Sequence, residues 1–377
     1  MKNILKLIGG VLIGIAAGLL IAAAGIVLFT DTTFREFAGN LLSTDLLKIA
    51  GAALVGVAAF LGALAILIPA HEAGHLVCGL LTGYKFVSFR IFNLTFIKSE
   101  GKLRIKRYSV AGTGGQCLLA PPDLPLEQIP TMWYNAGGVL ANLLMLLAVL
   151  PLFSLDLNPF LKEALTIFCL TDAFLILTNG IPMKLGGIGN DAYHMLYLKR
   201  APLSKQSLVN QLRSNALIQE GVRPKDMPDS WFEWTTDIDF KNPLEVGLPL
   251  MYASRLIDKM NFEEAYQKFD ELYNHKSDII QLYVNEIACE LAFCAMVTDR
   301  SAIASKLLDP TLTRYIEAYR GVMSSKQRIL CAKALYLDNN RPEALSIYTA
   351  LERSRDNYLL RGETESDLAI MRHLLTP

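Results

Sequence analysis

The stretch Ile49–Ala70, IAGAALVGVAAFLGALAILIPA, runs without interruption into His71-Glu72-Ala73-Gly74-His75. Its 22 residues carry no charge and exceed the ~20 that a helix needs to cross a bilayer. A helix brings residues four apart onto one face, so His71 and His75 can offer both imidazoles to one metal ion. Glu72 then lies beside the metal, where it can take a proton from the activated water and pass it to a leaving amine. Two histidines and a glutamate at the end of an apolar span are costly without a purpose. The bland alternative is that the three merely satisfy one another.

Working outward, the same apolar character recurs. Leu7–Thr30 has no charge, and its apolar region is longer than that of a cleaved secretory signal, so it reads as a retained helix. Gly10, Gly14 and Gly18 follow at four-residue spacing, either a flat strip for a neighbouring helix or ordinary membrane glycine enrichment. Gln128–Leu155 contains a third span and Phe160–Pro182 a weaker fourth, whose Asp172 is expected to face other helices as a structural contact. The expected spans lie near 7–30, 49–81, 134–155 and 160–183. Basic residues crowd the loop from Lys85 to Arg107 and follow the fourth span at Lys184, Lys199 and Arg200. The positive-inside rule therefore puts both termini and the second loop in the cytosol, as an even number of spans requires.

The whole chain of 377 residues has 36 Lys+Arg and 36 Asp+Glu, but its zero net charge combines unlike parts. Residues 1–200 hold 15 basic and 11 acidic residues, leaving 21 and 25 for the remainder. A membrane-embedded half (1–200) is thus expected to lead through a connector (201–240) into a soluble cytosolic half (241–377). Apolar residues at 52% exclude a disordered chain, and neutrality argues against a nucleic-acid partner. The six scattered cysteines form no CxxC pair and read as reduced, buried thiols.

A catalytic zinc needs a third protein ligand and an open position. Asp191 is the best candidate, in Asn179-Gly180-Ile181-Pro182-Met183-Lys184-Leu185-Gly186-Gly187-Ile188-Gly189-Asn190-Asp191. It follows the fourth span on the side where the His pair also lies. His194, three residues on, and Cys78, three after His75, are the competing ligands; their ordinary readings are a solvated histidine and a small apolar packer.

Together these residues resemble the site-2 protease family of intramembrane zinc metalloproteases. That family carries HExxH on one membrane helix and Asn-x-x-Pro followed by an Asp-Gly type motif on a later one. The resemblance implies His71, His75 and Asp191 as Zn²⁺ ligands and Glu72 as the base. Gly138-Val139-Leu140-Ala141-Asn142 is similar to the family's Gly-Pro-x-x-Asn, with Val139 in place of Pro. By that likeness Asn142, with Asn135, would hold substrate backbone or the oxyanion. Asn179 would support the active-site loop through its amide, or simply cap the span. Asp191 departs from the family spacing: it lies nine residues after Pro182 and is followed by Ala192. The resemblance covers roughly residues 45–195 and implies an integral protein of the bacterial plasma membrane.

Phe86–Ile97 reads as a strand, Ser99-Glu100-Gly101 as its turn and Lys102–Lys106 as a return strand. This hairpin's edge could hold an unwound substrate, or the hairpin could simply lie on the membrane surface. Gly112, Gly114 and Gly115 up to Pro122 read as irregular chain entering near the site, without a phosphate-loop pattern. In the soluble half, Ala253, Asn261, Ala265, Phe269 and Leu272 align at a spacing of 79 with Ala332, Asn340, Ala344, Tyr348 and Leu351, and Ala304 lies midway. This predicts three helix-turn-helix units about 40 residues long, similar to tetratricopeptide repeats, whose stacked surface would bind a protein partner. A plain helical bundle is the alternative.

The expected fold class is mostly α: a polytopic membrane core of about four spans with a short β-hairpin insertion, then a soluble helical-repeat domain. Two functions follow. One is a zinc endopeptidase cleaving a membrane-anchored protein or peptide within the lipid bilayer. The other is a non-catalytic membrane scaffold with a structural or vestigial zinc site and a protein-binding arm.

Overall fold

A computed structural model describes residues 46–99, 102–107 and 114–376. The expected span 7–30 and its glycine strip lie outside them. The chain is mostly helical, with a small antiparallel sheet. Helix α1 (Leu46–Leu81) runs 36 residues and carries the HExxH in its last third. Four strands follow: β1 (Lys85–Ile91), β2 (Leu94–Ser99), β3 (Lys102–Arg107) and β4 (Gly115–Ala120). Then come α2 (Thr131–Val149), α3 (Pro159–Gly180), the two-residue strands β5 (Lys184–Leu185) and β6 (Ile188–Gly189), and α4 (Asp191–Tyr197).

Helices α1, α2 and α3 pack on one another, and α4 packs on α2. Contact between α1 and α2 is made by backbone. A Cβ added to Gly74 would lie 2.1 Å from the Gly137 carbonyl oxygen, and one added to Gly137 would lie 2.3 Å from that of Gly74. Small residues thus let two helices touch where side chains would hold them apart. The outward faces stay apolar, with Leu54, Leu61, Leu144 and Phe174 exposed. Two segments, Ala53–Leu81 and Leu126–Ser154, are long and apolar enough to cross a membrane. The fourth expected span forms α3, which carries Lys162, Glu163 and Asp172 and is not one of these two.

The expected hairpin is larger than the sequence suggested. Phe86–Ile97 is not one strand but two, divided at Phe92, whose φ of +52° turns the chain beside Asn93. The glycine-flanked stretch expected to be irregular contains β4, which pairs with β1 from Lys85↔Ala120 to Ile91↔Gly115. All pairings are antiparallel, in the order β3-β2-β1-β4. β4 is therefore an edge strand. It carries the buried Cys117 and Leu119 into an apolar cluster with Tyr84, Ile129, Val209 and Leu212.

Val209 and Leu212 belong to α5 (Pro202–Glu220), a 19-residue helix within the expected connector. Gly221, at φ +101°, ends it in the left-handed conformation that glycine adopts at least cost. Beyond it lie α6 (Pro243–Asp258), α7 (Phe262–Asn274), α8 (Gln281–Val297), α9 (Ser301–Leu307), α10 (Pro310–Tyr319), α11 (Ser324–Tyr336), α12 (Arg341–Ser354) and α13 (Arg361–Leu375). Three helix pairs, α6–α7, α8–α9 and α11–α12, each turn at one non-glycine residue of positive φ: Met260, Asp299 and Asn339. These turns are 39 and 40 residues apart. Ala265, Ala304 and Ala344 follow them at equal offsets and are fully buried, so each hairpin closes on a side chain of minimal size.

Candidate metal site

His71 and His75 project from one face of α1 with their Nε2 atoms 3.2 Å apart. Each ring is held from behind. His71 Nδ1 lies 2.7 Å from Asn142 Oδ1, and His75 Nδ1 lies 2.7 Å from the carbonyl oxygen of Tyr134. The second of these partners can only accept. Asn142 presents its Oδ1 because its Nδ2 donates to Asp172 Oδ1 at 2.6 Å. Both imidazoles therefore donate from Nδ1 and turn unprotonated Nε2 atoms forward, the tautomer a metal ligand needs.

Asp191 completes the group. Its Oδ2 lies 3.0 Å from His71 Nε2 and 3.3 Å from His75 Nε2, yet has no partner in hydrogen-bonding geometry. Three electron-rich atoms thus face one another with no proton between them, an arrangement that a cation would stabilise. Ligands 2.0–2.1 Å from a tetrahedral ion stand about 3.3 Å apart, close to the separations here. The cluster could hold a metal ion. The three side chains retain 12–22% of their accessible surface, so a fourth side stays open.

The long interval between Pro182 and Asp191 has a structural cause. Lys184–Leu185 pairs with Ile188–Gly189 across Gly186 and Gly187, both at positive φ, so the additional residues fold back as a small hairpin. Asn190 fixes the hairpin's base. Its Nδ2 donates to the carbonyls of Thr178 and Ile181, and its Oδ1 accepts from the N–H of Met183 and of Tyr193. The last bond is an N-cap, so α4 begins at Asp191 and its first residue is presented to the His pair.

Glu72 lies against β4. A Cβ on Gly115 would come within 2.7 Å of Glu72 Oε1, and the Cys117 N–H hydrogen-bonds to the carboxylate. A cleft of about 480 Å³ opens over these groups. One wall is Gln116, Cys117 and Leu118 of β4. Another is Leu208, Gln211, Leu212 and Asn215 of α5, and Asn135 and Asn179 also reach it.

The structure brings His71, Glu72, His75 and Asp191 together. Asn135 and Asn179 line the cleft, with Nδ2 donating to the backbone oxygens of Thr131 and Leu175. Asn142 is placed elsewhere than expected: it is fully buried behind His71, linking that ring to Asp172, with both ends of its amide engaged. His194 and Cys78 stand outside the metal-ligand cluster. Sequence reasoning missed the Tyr134 carbonyl, β4 and the α5 wall. It also missed why Gly138 is small: a Cβ there would lie 2.4 Å from His71 Nε2 and 2.5 Å from His75 Nε2. The adjacent glycines Gly137 and Gly138 in the middle of α2 were the available signal. No family model, curated protein or solved structure matches the chain.

Proposed function

We propose that the chain is an intramembrane zinc endopeptidase of the site-2 type, acting on a membrane-anchored protein or peptide. The observation that carries this reading is the convergence of His71, His75 and Asp191 on one point, with Glu72 beside it, at the end of an apolar helix. Four spans, both termini in the cytosol and a bacterial plasma membrane belong to the same proposal.

His71, His75 and Asp191 would hold the zinc, which when bound supplies a Lewis acid that activates water and polarises the scissile carbonyl. Glu72 takes the proton from the attacking water and delivers it to the amine nitrogen as the C–N bond breaks. Asn142 and the Tyr134 carbonyl keep the two rings aimed. A peptide bond within a helix has its carbonyl already hydrogen-bonded, so the substrate must unwind before attack. Gln116–Leu118 of β4 line the cleft, so an unwound segment would lie along this edge, with Gln211 and Asn215 offering amides from across the cleft.

The test compares membrane peptides from cells expressing the parent chain and Glu72→Gln, with zinc measured in each purified protein. Glu72→Gln should retain stoichiometric zinc, lose about 10²–10⁴-fold in cleavage and accumulate an uncut membrane protein. Equal cleavage by both would refute the mechanism. Purified parent protein without zinc would favour the scaffold reading.

A further inference from the structure

A second cavity, of about 210 Å³, lies within the helical half. It is lined from α6 by Ser254 and Asp258, from α8 by Glu286 and Glu290, from α11 by Ser325 and Arg328, and from α13 by Glu363 and Asp367. Five carboxylates around one small space call for cations, and the fold supplies them to four. Asp258 takes Arg223 at 2.5 Å and the Ser366 hydroxyl. Glu286 takes Lys326 at 2.6 Å and the Tyr315 hydroxyl. Glu290 and Asp367 share Arg328, at 2.6 and 2.7 Å.

Glu363 is left over. Among the described residues it has no hydrogen-bond or ion-pair partner. Burial, with Asp367, Glu290 and Glu286 nearby, pushes its carboxyl up to about 8 against the weaker opposing influence of Lys326. On the same cavity, Arg328 is 3% exposed and its Nη1 has no acceptor. A carboxyl group without a partner and an unpaired guanidinium N–H thus line one space without meeting each other. The Arg328 N–H carries the desolvation cost that buried polar groups usually escape by pairing, and the half-buried Glu363 has no cation of its own.

We propose that this cavity binds an α-ammonium group together with its adjacent carbonyl or carboxylate, the ammonium against Glu363 and the acceptor towards Arg328. A divalent cation fits poorly, because the other four carboxylates are already neutralised and Ca²⁺ requires six to eight oxygens. A quaternary ammonium fits poorly too, since the apolar lining is Pro224, Leu250, Ile257, Met323 and Ile370, with no aromatic face. The volume falls below the ~300–1,000 Å³ of drug-sized pockets and suits a single residue. Two sources present this chemistry, a free amino acid and the N-terminal residue of a peptide.

The experiment uses the full chain in nanodiscs and calorimetry with four probes. These are a mixture of the free amino acids, a tripeptide mixture Xaa-Ala-Ala with free N-termini, the same mixture N-acetylated, and N-acetyl-lysine amide. Binding of either free-amine set is expected, lost on acetylation and at least tenfold weaker in Glu363→Gln, the loss of one charge-assisted hydrogen bond. Ser254→Phe, which fills the cavity mouth from an exposed position, should abolish binding while leaving the melting temperature and the Glu363 side chain unchanged. The first set binding alone identifies a free amino acid as the source, and the tripeptides a chain terminus. No binding of either free-amine set, equal binding after acetylation or in Glu363→Gln, or binding of N-acetyl-lysine amide alone would overturn the proposal.

Discussion

Gly138→Ala tests the metal site without removing any ligand. The added Cβ would sit 2.4 Å from His71 Cε1 and Nε2 and 2.5 Å from His75 Nε2, where non-bonded contact is about 3.5 Å. Each ring would have to retreat by about 1 Å. Neither can do so freely, because Asn142 and the Tyr134 carbonyl hold both Nδ1 atoms at 2.7 Å. Metal–ligand distances tolerate only about 0.2 Å, so the three donors cannot all remain in place. Loss of one supporting partner alone costs about 10–100-fold in metal affinity, and two rings are displaced here. We expect at least a 100-fold loss, with about 1–3 kcal/mol of overpacking strain if the helices separate instead. Chelator competition followed by elemental analysis measures the first, and thermal unfolding the second. Gly62→Ala is the control, since its Cβ meets nothing within 4 Å. A Gly138→Ala protein that binds metal within threefold of the parent would refute the placement of α2 beneath the histidines.

Asn142→Ala should weaken metal binding about 10–100-fold by freeing the His71 ring and leaving Asp172 buried without a donor; unchanged competition against a chelator would remove Asn142 from the site. Met260→Gly relieves the roughly 1–2 kcal/mol cost of a left-handed residue but removes a side chain packed on the helical core, so it should destabilise, and Asp299→Gly should change stability by less than about 1 kcal/mol, because aspartate also adopts that conformation. Asn339→Gly should be near neutral, since asparagine tolerates that conformation, and chemical denaturation would rank the three. Glu363 is held protonated in the fold up to about pH 8, while an unfolded glutamate ionises near 4.5. The unfolded state therefore binds fewer protons across this interval, and stability should fall as pH rises from about 5 to 8. In Glu363→Gln that fall should shrink; an unchanged pH profile of melting would show that Glu363 is not buried as described.

The two histidines and Glu72 were legible because helical spacing is a local property, and four residues along α1 fix one face whatever surrounds it. Asp191 could be proposed from its side of the membrane, but its irregular interval acquires a reason only in the β5–β6 hairpin, where Gly186 and Gly187 fold the additional residues away. Strand β4 was misread because Gly115-Gln116-Cys117-Leu118-Leu119-Ala120 has no β-branched residue and follows several glycines. Pairing with β1 overrides that weak propensity. Asn142 illustrates a different limit. Its position on α2 showed that it could approach the histidines, but whether it faced the cleft or the ring's far side depended on the rotation of α2, which the Gly74–Gly137 contact sets. In the helical half, the 79-residue alignment found Ala265 and Ala344 because a tight helix crossing requires a small residue at a fixed offset from the turn. The cavity in the same half was invisible, since its five acids come from three helices, α6, α8 and α13, and the i, i+4 pairs Glu286/Glu290 and Glu363/Asp367 lie far apart in sequence.

Helix α5 gives the two halves a mechanical relation that the simple picture of a connector leaves out. One face supplies Leu208, Gln211, Leu212 and Asn215 to the cleft over the candidate metal site. Ser204 and Ser207 on the same helix bind Glu245 and the Leu244 carbonyl of α6. At its other end, the chain after α5 meets α13 so closely that a Cβ on Gly362 would lie 2.0 Å from the Val222 carbonyl oxygen. A helix clasped in this way cannot slide relative to α6 and α13 while keeping its contacts. Any rearrangement that widens the cleft must therefore either detach α5 from β4, exposing Val209 and Leu212, or carry α6 and α13 along with it. The second course keeps those apolar side chains covered, at about 1.5–3 kcal/mol each, and both helices also line the carboxylate-rich cavity. The wall of the cleft and the wall of that cavity are thus tied to one another through the packing of α5 on α6 and α13.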